Sequence, residues 1–425
     1  MIRQREMAAS EIRSSLYDRW WFYFAILYFI VDYVRPQNIF SWIGLLRPGA
    51  ITITVLTIFI IGSRQIYLSD TRQTRLIWAF IILLFIHVPF AANNYYALVT
   101  AQNMLKLMPF IISVIILVSG MERLKQIVTI MVIIMVYMSL WSITHGGHGV
   151  GGWFGDENDL ALYINAMMPF ALHLYYHAEK RILKVLYIIV FILGIGSIIA
   201  SFSRGGLVGL VAMVGVGWLL SRHKIRILFV VIVAAFAFFT YTSQEYREEM
   251  STITDTQSGT IHGRFLMWEA AWDMFIDHPL GVGGSNFPVR FPDYQSEEFP
   301  RGMWGHVSHS LWFTLIPELG IPGIIIYFML LWVNFKELLF LLRLRYEGDD
   351  PDLAYIQTLS LAFLASAAGF FASATGLSVL YYPHFWYLTA LLVATRKITE
   401  ARLEILSSSA EDTNGVTPGA IPLVQ

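Results

Sequence analysis

The 425-residue chain contains no cysteine and few charged residues, and each shortage excludes a class of protein. Without cysteine there is no disulfide framework, no thiolate metal site and no cysteine nucleophile. Charged residues make up 14% of the chain, whereas soluble domains carry roughly 25%. The net charge of −1 argues against a nucleic-acid partner, because a phosphate backbone is met by clustered lysine and arginine.

Long uncharged apolar runs account for the shortage of charge, since 56% of the residues are hydrophobic. Crossing a bilayer takes about 20 predominantly apolar residues in a helix. We therefore predict an all-α polytopic membrane protein with about twelve transmembrane helices. The predicted spans lie near residues 20–34, 50–62, 76–91, 107–120, 126–143, 160–177, 182–201, 205–220, 225–243, 309–335, 353–375 and 382–395.

Lysine and arginine are distributed unevenly between the two sides of this predicted bundle. Most of the 29 basic residues fall in connections on the side of the N-terminus, and this bias sets membrane topology. We therefore expect both termini to be cytoplasmic. The predicted organisation is a tail over residues 1–19, helices 1–9 within 20–243, a long non-cytoplasmic loop over 244–308, helices 10–12 within 309–396 and a partly disordered tail over 397–425.

The long loop contains a segment, His262–His278, with the periodicity of an amphipathic helix. Phe265, Trp268, Trp272 and Phe275 recur at helical spacing and form an apolar stripe. A helix of this kind lies in the membrane interface or packs as a lid on the bundle. The two interpretations are compatible, and both stay open.

A second candidate element is the segment SFSRGGLVG between two apolar runs. Ser203 is expected to cap the following helix, so that Gly205 and Gly206 expose backbone N–H groups beside Arg204. A helix N-terminus with an arginine is an anion site, although an arginine there can also reach the lipid headgroups. Arg264, at the start of the amphipathic helix, is a second candidate for the same anion, or it pairs with a local acid.

The segment HSLWFTLIPELGIPG carries the most specific local pattern, which includes His309, Ser310, Gly320 and Gly323. A histidine at a helix mouth can act as a general base near neutral pH, or it can be a hydrogen-bonded interface residue. His306 is an equally placed rival. The glycines, with two prolines, predict a kinked helix.

The segment GDENDLAL precedes another predicted helix. Asn158 or Asp159 is expected to cap that helix, and the alternative is contact with sugar hydroxyls or a cation. We predict no metal site.

These segments together resemble the O-antigen ligase and polymerase superfamily. The family pattern H-[N/S/Q]-x9-G-x-x-G is matched from His309 to Gly323, while Ile324 and Ile325 replace a Thr-Thr pair frequent in lipopolysaccharide ligases. The SRG segment, the G-R-x3-W-x2-A run from Gly263, the P-x-G-x-G turn from Pro279 and the FGDENDLAL segment look like further family landmarks.

The resemblance implies a GT-C-like membrane fold that transfers a glycan from a polyprenyl-diphosphate carrier to an acceptor hydroxyl, without metal or cofactor. The expected place is the periplasmic face of the bacterial inner membrane. On this analogy Arg204 and Arg264 clamp the diphosphate, and His309 orients or deprotonates the acceptor. Other residues expected at the substrate are Ser203, Gly205, Gly206, Ser310, Trp268 and Trp304.

The predicted activity is that of a ligase, and other activities stay open as alternatives. A ligase uses lipid A-core or another acceptor, and a polymerase uses a second lipid-linked repeat, while a third subgroup modifies protein hydroxyls. A polysaccharide flippase or exporter would instead need charged residues or broken helices near the midplane. The candidates for such positions are Asp32, His87, Lys106, His173 and Glu318.

Overall fold

The computed structural model describes residues 2–220, 224–225, 259–297, 305–344 and 350–413. Within these ranges the regular elements are helices, as the apolar runs predict, with one isolated bridge between Gly151 and Phe154. The helices are α1 (Ile2–Val34), α2 (Pro36–Ile39), α3 (Ser41–Leu45), α4 (Pro48–Ser63), α5 (Arg72–His87), α6 (Asn94–Leu105), α7 (Met108–Leu117), α8 (Met121–Thr144), α9 (Glu157–His177), α10 (Arg181–Ala200), α11 (Arg204–Leu220), α12 (Gly259–Asp277), α13 (Phe287–Tyr294), α14 (Leu311–Arg343), α15 (Pro351–Ala374) and α16 (Pro383–Thr413).

Six helical segments of the described chain are long and apolar enough to cross a membrane, so the chain is a polytopic membrane protein. They are Arg72–Phe90, Asn94–Leu117, Met121–Thr144, Arg181–Ala200, Leu311–Arg343 and Pro351–Ala374. The shorter helices α4 and α11 are also apolar. The predicted span at 225–243 falls outside the described residues except for its first residue, and the total of twelve stays a prediction.

The predicted span near residues 107–120 is part of a longer helical segment. The chain there forms two helices, α6 and α7, which meet at Lys106 and Leu107. Pro109 explains the break, because it lacks an N–H and its ring would clash with the carbonyl group four residues earlier in a continuous helix. Together the two helices cover Asn94–Leu117, so the segment begins well before the predicted apolar run.

The last helix, α16, continues to Thr413 and therefore runs through much of the segment predicted to be a tail. Arg402 on this extension pairs with Asp350, with 2.8 Å between Nη2 and the carboxylate. Asp350 also caps α15 by accepting from the N–H groups of Asp352 and Leu353. This contact joins the end of α16 to the start of α15.

The helix α9 lies at the centre of the bundle and packs against α8, α10, α11 and α15. Close approach of α11 depends on small residues: a Cβ atom at Gly209 would lie 2.0 Å from the Ser373 hydroxyl. Asn165 of α9 fills the same junction, where its Nδ2 donates to the Gly206 carbonyl (2.7 Å) and to Ser373 Oγ (3.2 Å). These contacts fix the position of α11, including its first residue, Arg204.

The helix α14 is broken at Gly320, which has φ 59° and ψ −160°. The turn that follows α12 lies against this break: the Ile321 N–H donates to the Pro279 carbonyl, and the Gly283 N–H donates to the Glu318 carbonyl. A Cβ atom at Gly320 would lie 2.4 Å from the Pro279 carbonyl oxygen, so only glycine fits. The kink predicted from the glycines and prolines is confirmed.

Candidate functional site

Arg204 begins α11 immediately after a sharp reversal of the chain from α10. Phe202 in that reversal has φ 50°, and Ser203 caps α11, as predicted, by accepting from the Gly206 N–H at 2.9 Å. The Ser203 hydroxyl also donates to Asn158 Oδ1 at 2.7 Å. The start of α11 is thereby tied to the start of α9, and Arg204 stands half-buried at this junction.

Arg264 is brought to the same end of the bundle by α12. Arg264 is half-buried. A Cβ atom at Gly376 would lie 3.2 Å from Nη1 of Arg264, so the guanidinium lies beside the chain that follows α15. Burial lowers the pKa of Arg264, and the positive charge of Arg204 lowers it further, while Asp156 opposes the shift. The two arginines therefore lie within electrostatic range of each other.

His309 precedes α14 and has φ 47°, in the left-handed region that a histidine rarely adopts. Its neighbour Ser310 caps α14 by accepting from the Phe313 N–H at 3.4 Å. Burial lowers the pKa of His309, and the charges of Arg264 and His306 lower it further, whereas Asp156 raises it. His309 is therefore held as the neutral imidazole near neutral pH.

Arg204, Arg264 and His309 stand near the starts of three different helices, and electrostatic interactions link Arg204 to Arg264 and Arg264 to His309. The pKa of Arg264 responds to Arg204, and the pKa of His309 responds to Arg264. The negative charge of Asp156 raises the pKa of both Arg264 and His309, so Asp156 supplies a carboxylate to the cluster. Two guanidinium groups, a neutral imidazole and one carboxylate can bind an anion beside a proton acceptor.

The predicted cap of α9 is wrong. Asp156, and neither Asn158 nor Asp159, caps the helix, and its carboxylate accepts from the Asn158 N–H at 2.7 Å. Asn158 instead binds Ser203, and Asp159 accepts from the Tyr382 hydroxyl at 2.8 Å. The acidic segment is therefore used to assemble the site end of the bundle.

Trp268 of α12 holds the loop that carries His309. Its indole N–H donates to the Ser308 carbonyl at 2.9 Å, and its ring stacks on Phe313 with 5.0 Å between centroids. One face of the indole is thus covered by Phe313. Trp304, the other tryptophan predicted at the substrate, lies outside the described residues.

The two faces of α12 have different surroundings. Met267, Ala270, Ala271 and Met274 are buried and pack with residues of α13 and α14. Of the predicted aromatic stripe, Trp272 is 49% exposed and Phe265 is 51% exposed. The helix therefore packs as a lid along one face and presents much of the aromatic stripe outward.

The glycines and serines predicted at the substrate have structural contacts. The Gly206 N–H is used by the Ser203 cap, and a Cβ atom at Gly206 would lie 2.6 Å from Ala161 Cβ. Gly205 faces α15, where the Ser373 carbonyl oxygen lies 3.8 Å from the position of a Cβ atom. Ser310 is 1% exposed and serves as a helix cap.

Glu318 is a residue of this region whose role the sequence patterns did not reveal. It lies just before the break of α14, is 2% exposed and accepts from the Ser285 N–H (2.8 Å), the Phe287 N–H (3.1 Å) and the Tyr381 hydroxyl (2.6 Å). It therefore fastens the turn after α12 to the helix that follows His309. The donors lie 31 to 63 residues away in sequence, so no local motif points to this role.

His173 and His177 are spaced four residues apart on α9, a spacing that zinc-binding helices also have. Each ring bonds to the Thr358 hydroxyl, at 2.8 Å and 2.6 Å. Across the described ranges, no group of three or more His, Asp or Glu side chains is arranged to hold a metal ion.

Residues 189–328 match a protein-family model described as O-Antigen ligase. The matched stretch includes Arg204, Arg264 and His309. None of the curated proteins compared with the chain matches it. The family match confirms the predicted resemblance: over residues 189–328 the chain is similar to the O-antigen ligases, within a polytopic membrane bundle.

Proposed function

We propose that the protein is a membrane glycosyltransferase of the O-antigen ligase type, which moves a glycan from a polyprenyl-diphosphate carrier to an acceptor hydroxyl. The observation that carries this proposal is the convergence of Arg204, Arg264 and His309 at one end of the bundle. The family match over the same stretch supports it. The distribution of basic residues favours a periplasmic position for this end, with both termini in the cytoplasm of a bacterial cell.

Arg204 and Arg264 are proposed to bind the diphosphate. When the bond between the anomeric carbon and the diphosphate oxygen breaks, negative charge develops on the leaving group, and guanidinium groups fixed nearby stabilise it. Two like charges held together in a half-buried place repel each other, and Asp156 offsets this repulsion in part. A bound diphosphate would offset that repulsion, so the charges suit the anion and need no metal ion.

His309 is proposed to act on the acceptor. The acceptor oxygen forms the new bond to the anomeric carbon, its proton passes to the imidazole, and the diphosphate leaves with the bonding electron pair. A neutral imidazole is required for this step, and burial together with Arg264 holds the pKa of His309 below its ordinary value. Trp268 positions His309 by holding the neighbouring Ser308 carbonyl.

The lipid part of the donor is proposed to lie in the membrane beside this cluster. The lid helix α12 is proposed to contact the membrane at the same place. Trp272, Phe265 and Ile276 are each about half exposed on the outward face of α12. Aromatic and aliphatic side chains on a helix with a packed opposite face are typical of the membrane interface. The long loop would then cover the glycan while its helix lies at the level of the headgroups.

A polymerase of the same superfamily is the second candidate. Ile324 and Ile325 stand where many lipopolysaccharide ligases have Thr-Thr, and this departure favours the alternative. Both enzymes would use the same cluster, with a different acceptor. Lipid A-core, another glycan or another hydroxyl compound would serve the ligase, and a second lipid-linked repeat would serve the polymerase.

The test compares Arg204→Ala and His309→Ala in a strain that lacks the gene, with surface polysaccharide and lipid-linked glycan profiled side by side. Arg290→Ala is the matched control, since Arg290 lies on α13 and pairs with Asp293 at 3.5 Å. Accumulation of polymerised lipid-linked glycan in both variants supports a ligase, and accumulation of single repeats supports a polymerase. Normal surface glycan, with the variants present in the membrane, would contradict the proposed site.

A further inference from the structure

A cavity of about 100 Å³ lies at the end of α1, and we name it the Asp32 cavity. It is lined by residues of α1, the starts of α2 and α4, the junction of α6 and α7, and the loop before α9. Its polar and aromatic lining consists of Tyr28, Asp32, Gln37, Asn103, Lys106 and Trp153. Arg204, Arg264 and His309 do not line it, so it is separate from the proposed transfer site.

Asp32 offers a carboxylate to this cavity. One oxygen accepts from the Trp153 indole N–H at 3.1 Å, and the other accepts from the Tyr387 hydroxyl at 3.0 Å. A carboxylate has about four lone-pair sites. Its orientation is thus fixed by two protein donors, and further acceptor capacity remains for donors that enter the cavity.

Gln37 provides an independent sign of a ligand. Its amide oxygen is buried and has no hydrogen-bond partner among the described residues. A buried acceptor without a donor is costly, and such groups in native structures call for an explanation. A hydroxyl-bearing ligand in the cavity would supply the missing donor.

The remaining lining gives the cavity its charge and shape. Lys106 is exposed, and its ammonium group donates to Asn103 at 2.9 Å, while the Arg35 guanidinium lies 5.6 Å from the Trp153 ring centre. The aromatic rings supply flat apolar surface, and the few fixed polar groups supply orientation. This lining complements an acidic sugar. Its oxygens accept from the sugar hydroxyls, its aromatic ring packs on the sugar ring, and the nearby cation attracts the acidic group.

The cavity is connected to the transfer site by one short segment of chain. Trp153, which covers the cavity, packs on Tyr382 with 5.3 Å between ring centroids. Tyr382 donates to Asp159, and the neighbouring Asn158 binds Ser203, next to Arg204. A saccharide chain that follows this segment would reach the cavity from the proposed diphosphate site.

We propose that the Asp32 cavity is a carbohydrate subsite, which binds a sugar unit that carries a carboxylate or phosphate group. The hydroxyls of that sugar donate to Asp32 and Gln37, and its anionic group meets Lys106. The inference rests on the proposed function in one respect, namely that the sugar belongs to the donor glycan or to the acceptor. The lining chemistry is the same for both sources, and kinetics distinguish them.

The experiment first measures binding without transfer. The full-length protein in nanodiscs is titrated with methyl glucuronide, and methyl glucoside is the uncharged comparison, with saturation-transfer NMR as the readout. We expect Gln37→Met and Lys106→Met to weaken glucuronide binding by about tenfold, the size of one lost polar contact. Lys180→Met is the matched control, because Lys180 is an exposed lysine that precedes α10 and lies outside the cavity.

The same variants are then assayed with lipid-linked glycan and acceptor extracted from the knockout strain. A raised KM for the donor with little change in kcat assigns the sugar to the donor glycan, and a raised KM for the acceptor assigns it to the acceptor. Unchanged glucuronide binding and unchanged KM values in both variants would overturn the subsite. If the wild-type protein shows no transfer while the cavity variants lose glucuronide binding, the proposed function fails and the subsite stands.

Discussion

Removal of the Glu318 carboxylate is expected to release the turn that joins the lid helix α12 to the broken helix α14. Glu318→Ala deletes the acceptor of three hydrogen bonds, from Ser285, Phe287 and Tyr381, and leaves two buried or half-buried N–H groups without it. A hydrogen bond contributes roughly 0.5–1.5 kcal/mol, and a buried N–H group left without an acceptor costs about 1–3 kcal/mol. Backbone contacts between this turn and α14 persist, so the loss is less than the sum.

We expect the free energy of local opening of residues 279–294 to fall by about 3 kcal/mol, which raises amide exchange by on the order of 100-fold. Hydrogen exchange followed by mass spectrometry reports this for peptides that cover the turn. Transfer should fall as well, because Arg264 on α12 and His309 before α14 lose their common support. The exchange change should be confined to the turn and the helices that contact it.

Glu337→Ala is the control on the same helix, since Glu337 lies beyond the break and pairs with Arg396 at 3.5 Å. A partly exposed ion pair of this kind contributes about 0–1 kcal/mol. Glu318→Gln is the second variant: one amide oxygen remains, but its NH₂ group faces a donor, so an intermediate exchange rate is expected. Exchange in residues 279–294 that is equal in wild type and Glu318→Ala would refute this account of the turn.

Three further outcomes are expected, two at the site and one at the contact between α15 and α16. Burial and Arg264 lower the pKa of His309, so the neutral base persists below the ordinary pKa of about 6.5. When kcat/KM is measured from pH 8 to 5, it should decline only as the pH falls through that lowered pKa. A decline that begins above pH 7 would contradict this prediction. Trp268→Phe keeps an aromatic ring on Phe313 but loses the bond to Ser308, so kcat should fall by about tenfold with little change in donor KM, and an unchanged kcat would argue against positioning. Arg402→Met should lower the stability of the solubilised protein by about 1–2 kcal/mol without changing transfer, as thermal unfolding and the transfer assay would report.

The helical architecture could be predicted from apolar runs because a membrane helix must satisfy its backbone internally and cover itself with apolar side chains. The break between α6 and α7 could not, since hydropathy is blind to the missing N–H of Pro109. The C-terminal helix was also underestimated. Its extension carries charged residues, and it is held by the Arg402–Asp350 contact with a distant segment.

The candidate site shows a similar division between local and long-range information. Arg204, Arg264 and His309 could be proposed because each stands in a short motif, and the structure brings them together. The predicted cap of α9 lies two or three residues too late, because Asp156, Asn158 and Asp159 are all suitable capping residues and only their partners distinguish them. Side-chain type predicts a capacity to bind, and the fold decides the partner.

Glu318 and Gly320 show why the glycine motif is spaced from His309 as it is. The part of α14 before the break places His309 at the mouth of the bundle. The break itself is in contact with the backbone of Pro279 and its neighbours. A longer or shorter first segment would move His309 relative to Arg264, which is fixed to the same break through α12. The motif therefore sets the distance between the proposed base and one of the proposed anion ligands, and an alanine inserted between His309 and Gly320 should abolish transfer even where the protein still reaches the membrane.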